Sequence, residues 1–449
     1  MARLKPELAD AELARLCSEF ERGGQPIAVS FRTLLANPRA IDRHPHDLHP
    51  YPARLLVNIP SFFLSTSLTR PGDLVADPFC GSGTVLVEAL LSGRNVVGAD
   101  SNPLARLITT TKLTPVSRPD ALAALARLRD RVRDAPVPSG PFPDVINIDY
   151  WFHPHVRRDL LRLLEGIRAM RHPILARFFA MTFSSCVKKV SLADPRLSVP
   201  VRLKAKRYNA THWLREKTEN NLRKLKVVNV FALFEKSLLS NLSRLAPVSG
   251  ARSKGGRLHH IATDAREMPL LDHGAVDLII TSPPYLGAQK YIRASSLSLT
   301  WLGLCASTEL RVLEDLNIGR EHFSKASLRS DDTGLPETAR LHITRARTMN
   351  PLRAHIASTY VREMTAAMRE MSRVLRPGGH LVLVVGPSKL CGDAFPTPDV
   401  LSEVAEANGM QIRLHLLDTI RSRSLMTRRH ATAGQIDTES VLLFKRVNK

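Results

Sequence analysis

Residues 74–84, Leu-Val-Ala-Asp-Pro-Phe-Cys-Gly-Ser-Gly-Thr, constrain the fold more than any other stretch of the chain. Leu74-Val75-Ala76-Asp77 is a short apolar run of the length of a buried strand. Two glycines follow, and they free the backbone for a tight turn that can bring N–H groups up to a ligand. From Thr84 to Ser92 the pattern is helical, and Asn95 to Asp100 is a second strand. Strand, glycine turn, helix and strand in succession predict a βαβ unit. The turn is neither of two familiar nucleotide loops. Leu86 stands where GxGxxG needs its third glycine, and the lysine of GxxxxGK is missing.

The alternation resumes far downstream. Leu258–Ala262, Val276–Ile280, His380–Val385, Gln411–Leu417 and Glu439–Lys445 are predicted strands. Helices are predicted over 295–304, 359–375 and 398–408, the second stopped by Pro377-Gly378-Gly379. This order predicts an α/β fold with a doubly wound, mostly parallel, seven-stranded sheet. It is interrupted between the second and third strands by helical patterns at 121–134 and 156–170 and one long helix at 213–245, with a proline-rich linker at 136–143. Residues 101–257 carry 30 Lys and Arg against 11 Asp and Glu, which puts +19 of the net +22 there. The expected organisation is a helical lead-in (1–43), a first half of the sheet domain (44–105), a basic helical insertion (106–257) and a second half of the sheet domain (258–449).

Charge confined to one segment predicts a surface for a polyanion, most often nucleic acid. Lys188, Lys189, Lys204, Lys206 and Arg207 are the candidates, with Arg421 and Arg423 in a second basic loop. Trp213 and Tyr208 could stack on bases, but the core is the expected place for each. Asp77, Asp100 and Asp264 close three successive strands. At such ends a carboxylate accepts from ribose hydroxyls or an adenine edge, so the three suit an adenosine ligand. Thr281-Ser282-Pro283-Pro284-Tyr285 follows a further strand. Two prolines stiffen the turn, neither has an N–H, and a hydroxyl and a ring flank them. The result is a rigid acceptor site that suits a flat base with an exocyclic amine.

Asp77-Pro78-Phe79-Cys80-Gly81-Ser82-Gly83-Thr84 followed by Thr281-Ser282-Pro283-Pro284-Tyr285 resembles the S-adenosylmethionine-dependent DNA amino-methyltransferases, over roughly residues 44–105 and 258–446. His49-Pro50-Tyr51-Pro52-Ala53 resembles the family's amino-terminal motif near the methionine end of the cofactor, and Ser372 to Gly379 its helix-to-strand turn. The resemblance implies a Rossmann-like methyltransferase sheet and S-adenosylmethionine as cofactor. It implies cofactor contacts at Tyr51, Pro52, Asp77, Phe79, Gly81, Gly83, Thr84, Asp100 and Asp264, and a catalytic turn of Ser282, Pro283, Pro284 and Tyr285. Double-stranded DNA is the implied partner, with the target base flipped out. A cognate restriction endonuclease is a further partner that it admits. The Ser-Pro-Pro-Tyr form favours cytosine N4. Adenine N6, guanine N2 of tRNA and a silent DNA-binding protein of the same fold are the competing readings.

Other classes find little support. No apolar run is long enough to span a bilayer, and Met1 to Pro6 lacks the marks of a signal peptide, so a cytoplasmic location is expected. Five scattered cysteines form no CxxC pair, and no HExxH occurs, so no metal is expected. Methylation at cytosine C5 uses a Pro-Cys nucleophile, and the chain has no Pro-Cys dipeptide.

Overall fold

The computed structural model describes residues 5–34, 44–134, 136, 143–209, 211–252, 255–287, 290–323, 328, 332–419 and 437–447. Residues 137–142 of the expected linker, and the loop bearing Arg421 and Arg423, lie outside them. The strands are β1 (Ile27–Val29), β2 (Leu74–Asp77), β3 (Asn95–Ala99), β4 (Leu258–Ala262), β5 (Val276–Thr281), β6 (Leu375–Val385), β7 (Ser388–Leu390), β8 (Asp393–Phe395), β9 (Met410–Thr419) and β10 (Thr438–Arg446). Eight form one sheet in the order β1-β9-β10-β6-β5-β2-β3-β4, and β7 pairs with β8 alone. All pairings in the large sheet are parallel except those of β10, which is antiparallel to β6 and β9.

The sheet therefore has eight strands where the sequence suggested seven. The extra one is β1, three residues long and too short for a periodicity to show. It joins the edge beside β9, and the Phe31 N–H donates to the buried Asp418 carboxylate at 3.1 Å just beyond it.

Side chains alternate along each strand, so a buried sheet feeds two cores. Val75, Val96, Leu278, Ile280, Val382 and Val384 join one cluster. Ala76, Val97, Ile279, Leu381 and Leu383 join the other. Helices of the basic insertion pack into the first. Phe178, Phe179 and Phe183 of helix Pro173–Val190 and Phe234 of helix Val230–Arg252 belong to the same cluster as Val75.

Helix Pro173–Val190 is buried around most of its circumference. It lacks the polar face that makes a helix visible in a sequence. The expected single helix at 213–245 is two, Trp213–Leu225 and Val230–Arg252. Asn229 ends the break by accepting the Ala232 N–H at 2.9 Å, as an N-cap does. The helix placed at 359–375 starts earlier, at Pro351, where Asn350 caps it, and stops at Val374. Pro377-Gly378-Gly379 consequently lies inside β6. The polar stretch after 305 holds helices Leu310–Asp315 and Glu337–Met349.

Strand order decides where a ligand can bind. From β2 the chain steps outward to β3 and β4. It then returns to lay β5 on the opposite flank of β2, in register Val75 to Leu278, and continues to β6. The order reverses between β2 and β5, and open α/β sheets form their binding crevice at such a switch point.

Candidate active site

A cleft of about 610 Å³, its open mouth included, lies across the carboxyl ends of β2, β3, β4 and β5. Tyr51, Phe79, Gly81, Asp100, Asp264, Ser282 and Pro284 all line it. The two sequence motifs thus meet in one cavity although 200 residues separate them. Pro52, Asp77, Gly83, Thr84, Pro283 and Tyr285 are not among the lining residues.

Asp77 is the clearest revision. Its buried carboxylate faces the neighbouring strand, where Oδ1 accepts the Thr281 hydroxyl at 2.6 Å and the Phe79 N–H at 3.1 Å. It ties the glycine turn to the residue just before Ser282. Burial pushes this carboxyl up to about 7, against the pull of those two hydrogen bonds.

Asp100 is the acid at the ligand surface. Its Oδ2 accepts the Gly81 N–H at 2.9 Å and its Oδ1 the Asn102 N–H at 2.8 Å. Burial raises it to about 6. Asp264 also lines the cleft but is engaged by Arg266, with bonds of 2.7 to 3.1 Å to both oxygens. Arg266 also bonds Glu363 and the Leu316 carbonyl. Asp264 therefore anchors one wall of the cleft, formed by Leu316, Asn317 and Ile318.

The glycine turn is held from behind. Gly83 caps helix Thr84–Leu91 at φ +77°, and a Cβ there would meet the Thr109 side chain at 2.8 Å. Thr109 donates to the Gly81 carbonyl at 2.9 Å. Lys112, fully buried, donates to the carbonyls of Ser82 at 2.8 Å and His46 at 3.2 Å. Burial lowers its ammonium to about 7. Both anchors come from helix Pro103–Lys112, to which the sequence reading gave no part in the site; a lysine among threonines offers no signal of such a role. Asn102, which caps that helix, donates to the Tyr51 hydroxyl and to Ser295 Oγ, each at 3.2 Å.

Around the Ser-Pro-Pro-Tyr turn, the Tyr285 hydroxyl donates to Glu439 Oε1 at 2.6 Å. Burial pushes both groups up. The Tyr285 carbonyl closes on Gly319, where a Cβ would approach within 2.8 Å. Ser101 Oγ donates to Asn317 Oδ1 at 2.9 Å across the cleft wall. Tyr291, also missed from the sequence, supplies a third aromatic ring to the lining.

Of the basic candidates, Lys189, Lys204, Lys206 and Arg207 are exposed. Lys188 is half-buried and donates to the carbonyls of Leu197 and Ser198. Among the described residues no group of three His, Cys, Asp or Glu could hold a metal, and no helix is long and apolar enough to cross a membrane.

Residues 32–109, which carry the amino-terminal motif, β2, the glycine turn and β3, match the family model of the N6/N4 DNA methylases. Those residues form a domain of that family. The methylase is similar to the type II methyltransferase M.MvaI of Kocuria varians, with 24% identity over 376 residues, 80% of each chain. It is similar also to the type II methyltransferase M.BsoBI of Geobacillus stearothermophilus, with 20% identity over 79% of this chain and 76% of that one. A shorter stretch of 57 residues is 44% identical to a tRNA (guanine(10)-N2)-dimethyltransferase of Methanothermobacter thermautotrophicus, covering 13% of this chain and 15% of that one.

The cofactor of the methylase is S-adenosylmethionine, and the chemistry of the cleft fits it. Asp100 and Asp264 line the cleft with two tyrosines and Phe79, and among the described residues no Lys or Arg lines it. That set suits a cationic nucleoside and opposes a phosphate.

A pH dependence follows. A cationic ligand favours the ionised carboxylate at the cleft surface, and burial holds Asp100 at about 6. Cofactor affinity should therefore rise between about pH 5 and about pH 7 and level off above, as measured by titration calorimetry. A flat profile would contradict a role for this acid. For folding the sign is opposite. Asp100 at about 6 and Asp77 at about 7 both exceed the ordinary 3.8, so the stability these two groups contribute is present at low pH and is lost as pH climbs through them.

Proposed function

We propose that the methylase transfers a methyl group from S-adenosylmethionine to the exocyclic amine of a base extruded from double-stranded DNA, and that the amine is cytosine N4. The observation that carries this reading is the 2.6 Å bond from Thr281 to Asp77, which holds the Ser-Pro-Pro-Tyr turn against the cofactor turn at the switch point. Ser282 and Pro284 line the same cleft as Gly81 and Asp100, which supports one cavity for both reactants.

When bound, S-adenosylmethionine supplies an electrophilic methyl group on a sulfonium. Gly81, Asp100 and Tyr51 would hold it, with Phe79 as an apolar wall. The amine nitrogen of cytosine is a poor nucleophile because its lone pair is delocalised into the ring. Ser282 Oγ and the Pro283 carbonyl accept its two N–H groups and favour a more tetrahedral nitrogen with its lone pair free. The proline turn cannot relax to follow the base, so the acceptors stay aligned, and alignment supplies much of the rate. Tyr285, fixed by Glu439, stiffens the turn from behind. Pro284 and Tyr291 close the base side against water. The similarity to two type II methyltransferases over about four-fifths of the chain supports DNA as the substrate.

The test is direct. The protein is incubated with labelled S-adenosylmethionine and mixed-sequence duplex DNA or tRNA, and the modified nucleoside is identified by mass spectrometry. N4-methylcytosine is expected. N6-methyladenine would move the base assignment, and label in tRNA alone would overturn DNA as the substrate.

A further inference from the structure

The segment from Asp194 to Lys217 holds a column of stacked groups that methyl transfer leaves unused. At its root the buried Asp194 accepts from Arg196 Nε at 2.8 Å and Nη2 at 2.5 Å. Arg196 also donates to the Tyr208 hydroxyl at 2.8 Å, and its guanidinium carbon lies 5.5 Å from the centre of that ring. Tyr208 stacks on His212, with ring centres 5.4 Å apart and planes at 28°. His212 stacks on Trp213 at 6.1 Å and 20°. His212 Nδ1 accepts the Leu214 N–H at 3.1 Å, which fixes the ring and leaves its proton on Nε2. The Lys217 ammonium sits 5.4 Å from the centre of the Trp213 ring. Leu192, Leu203 and Leu225 give the segment a small apolar core of its own.

The column is thus rooted in a buried ion pair and open at Trp213, which is 65% exposed. The sequence reading put this indole in the core. Lys217 lies against the ring, and Lys204, Lys206 and Arg207 are exposed on the same segment. Aromatic faces interleaved with cations suit nucleic acid, because every base has a face to stack and every phosphate a charge to neutralise. A paired duplex keeps its base faces covered. An unstacked base leaves one open.

We propose that this column stacks on a DNA base that has left the duplex stack, with Lys206 and Arg207 on the adjoining phosphates. The proposal rests on the reading of DNA as substrate, and it adds a second place where the protein meets an unstacked base, distinct from the cleft.

The full chain is tested by anisotropy of labelled oligonucleotides: a paired duplex, the same duplex with one bulged base, its single strand, and RNA of that sequence. Of the three tryptophans Trp301 is fully buried and Trp151 half-buried, so quenching of the exposed indole reports on Trp213. The expected result is tighter binding of bulged and single-stranded DNA than of paired duplex, with emission quenched. Trp213→Ala should weaken the unpaired forms about tenfold with little effect on paired duplex, and Trp213→Tyr should restore most of the loss. The double variant Lys206→Ala/Arg207→Ala should instead flatten the salt dependence on every DNA. Equal binding of single-stranded DNA by wild type and Trp213→Ala, with methyl transfer to DNA intact, would overturn the column's role and leave the function standing. Tighter binding of RNA than of DNA would overturn the assignment to DNA. Failure of any nucleic acid to bind or accept methyl groups would overturn both.

Discussion

Ser282→Ala is expected to lower kcat for methyl transfer about a hundredfold while the dissociation constant for S-adenosylmethionine stays within about twofold. The reason is geometric. Ser282 lines the cleft at the end of β5, whereas the glycine turn and Asp100 belong to β2 and β3. Alanine removes the acceptor for the amine and leaves Pro283 and Pro284 to hold the backbone. Thr281, whose hydroxyl links the two motifs, is untouched. Tyr285→Phe is the milder companion. It keeps the ring but loses the bond to Glu439, so a drop of about tenfold in kcat is expected, again without loss of cofactor binding. Single-turnover kinetics with calorimetry on the same preparations separate the two quantities. A large loss of cofactor affinity in Ser282→Ala would contradict the role assigned to it.

Asp100→Asn is expected to have the opposite signature, weakening S-adenosylmethionine binding about a hundredfold. Both carboxylate oxygens already accept backbone N–H groups, one from Gly81 and one from Asn102. An amide presents an NH2 to one of those donors, so a buried N–H loses its acceptor and the glycine turn shifts. The negative charge facing a cationic ligand goes as well. Binding of DNA to the basic segment, measured by anisotropy, should be unchanged, because the exposed Lys204, Lys206 and Arg207 belong to another part of the chain. Cofactor affinity within about threefold of wild type would remove Asp100 from the ligand surface.

Much of the site was legible because its signals are local. The turn after β2 needs positive φ at Gly81 and Gly83, and only glycine takes that backbone without strain. Strands β2 and β5 appear close to where their apolar runs put them, since a strand buried on both faces is a nearly continuous apolar run. Partners set by distant contacts were not legible. Asp77 looked like a ligand residue because it ends a strand, yet its Oδ1 accepts from Thr281 and the Phe79 N–H. Asp264 looked free and is held by Arg266. Lys112 is a buried cation satisfied by two carbonyls, and nothing in its neighbours announces that. Trp213 was expected in the core by residue type, yet it is 65% exposed with Lys217 against its ring.

The sequence by itself determined which short segments could be strands, where each must turn, and which chemical groups stand at the turns. Backbone dihedral preference and the two-residue alternation of side chains act over a few residues, so these features survive in a linear reading. Only the tertiary structure decided that β5 lies beside β2 and not beyond β4. Strand order is chosen by how the helices between strands cover both faces of the whole sheet, and that choice brings Thr281 to 2.6 Å from Asp77 and makes one cleft of two motifs.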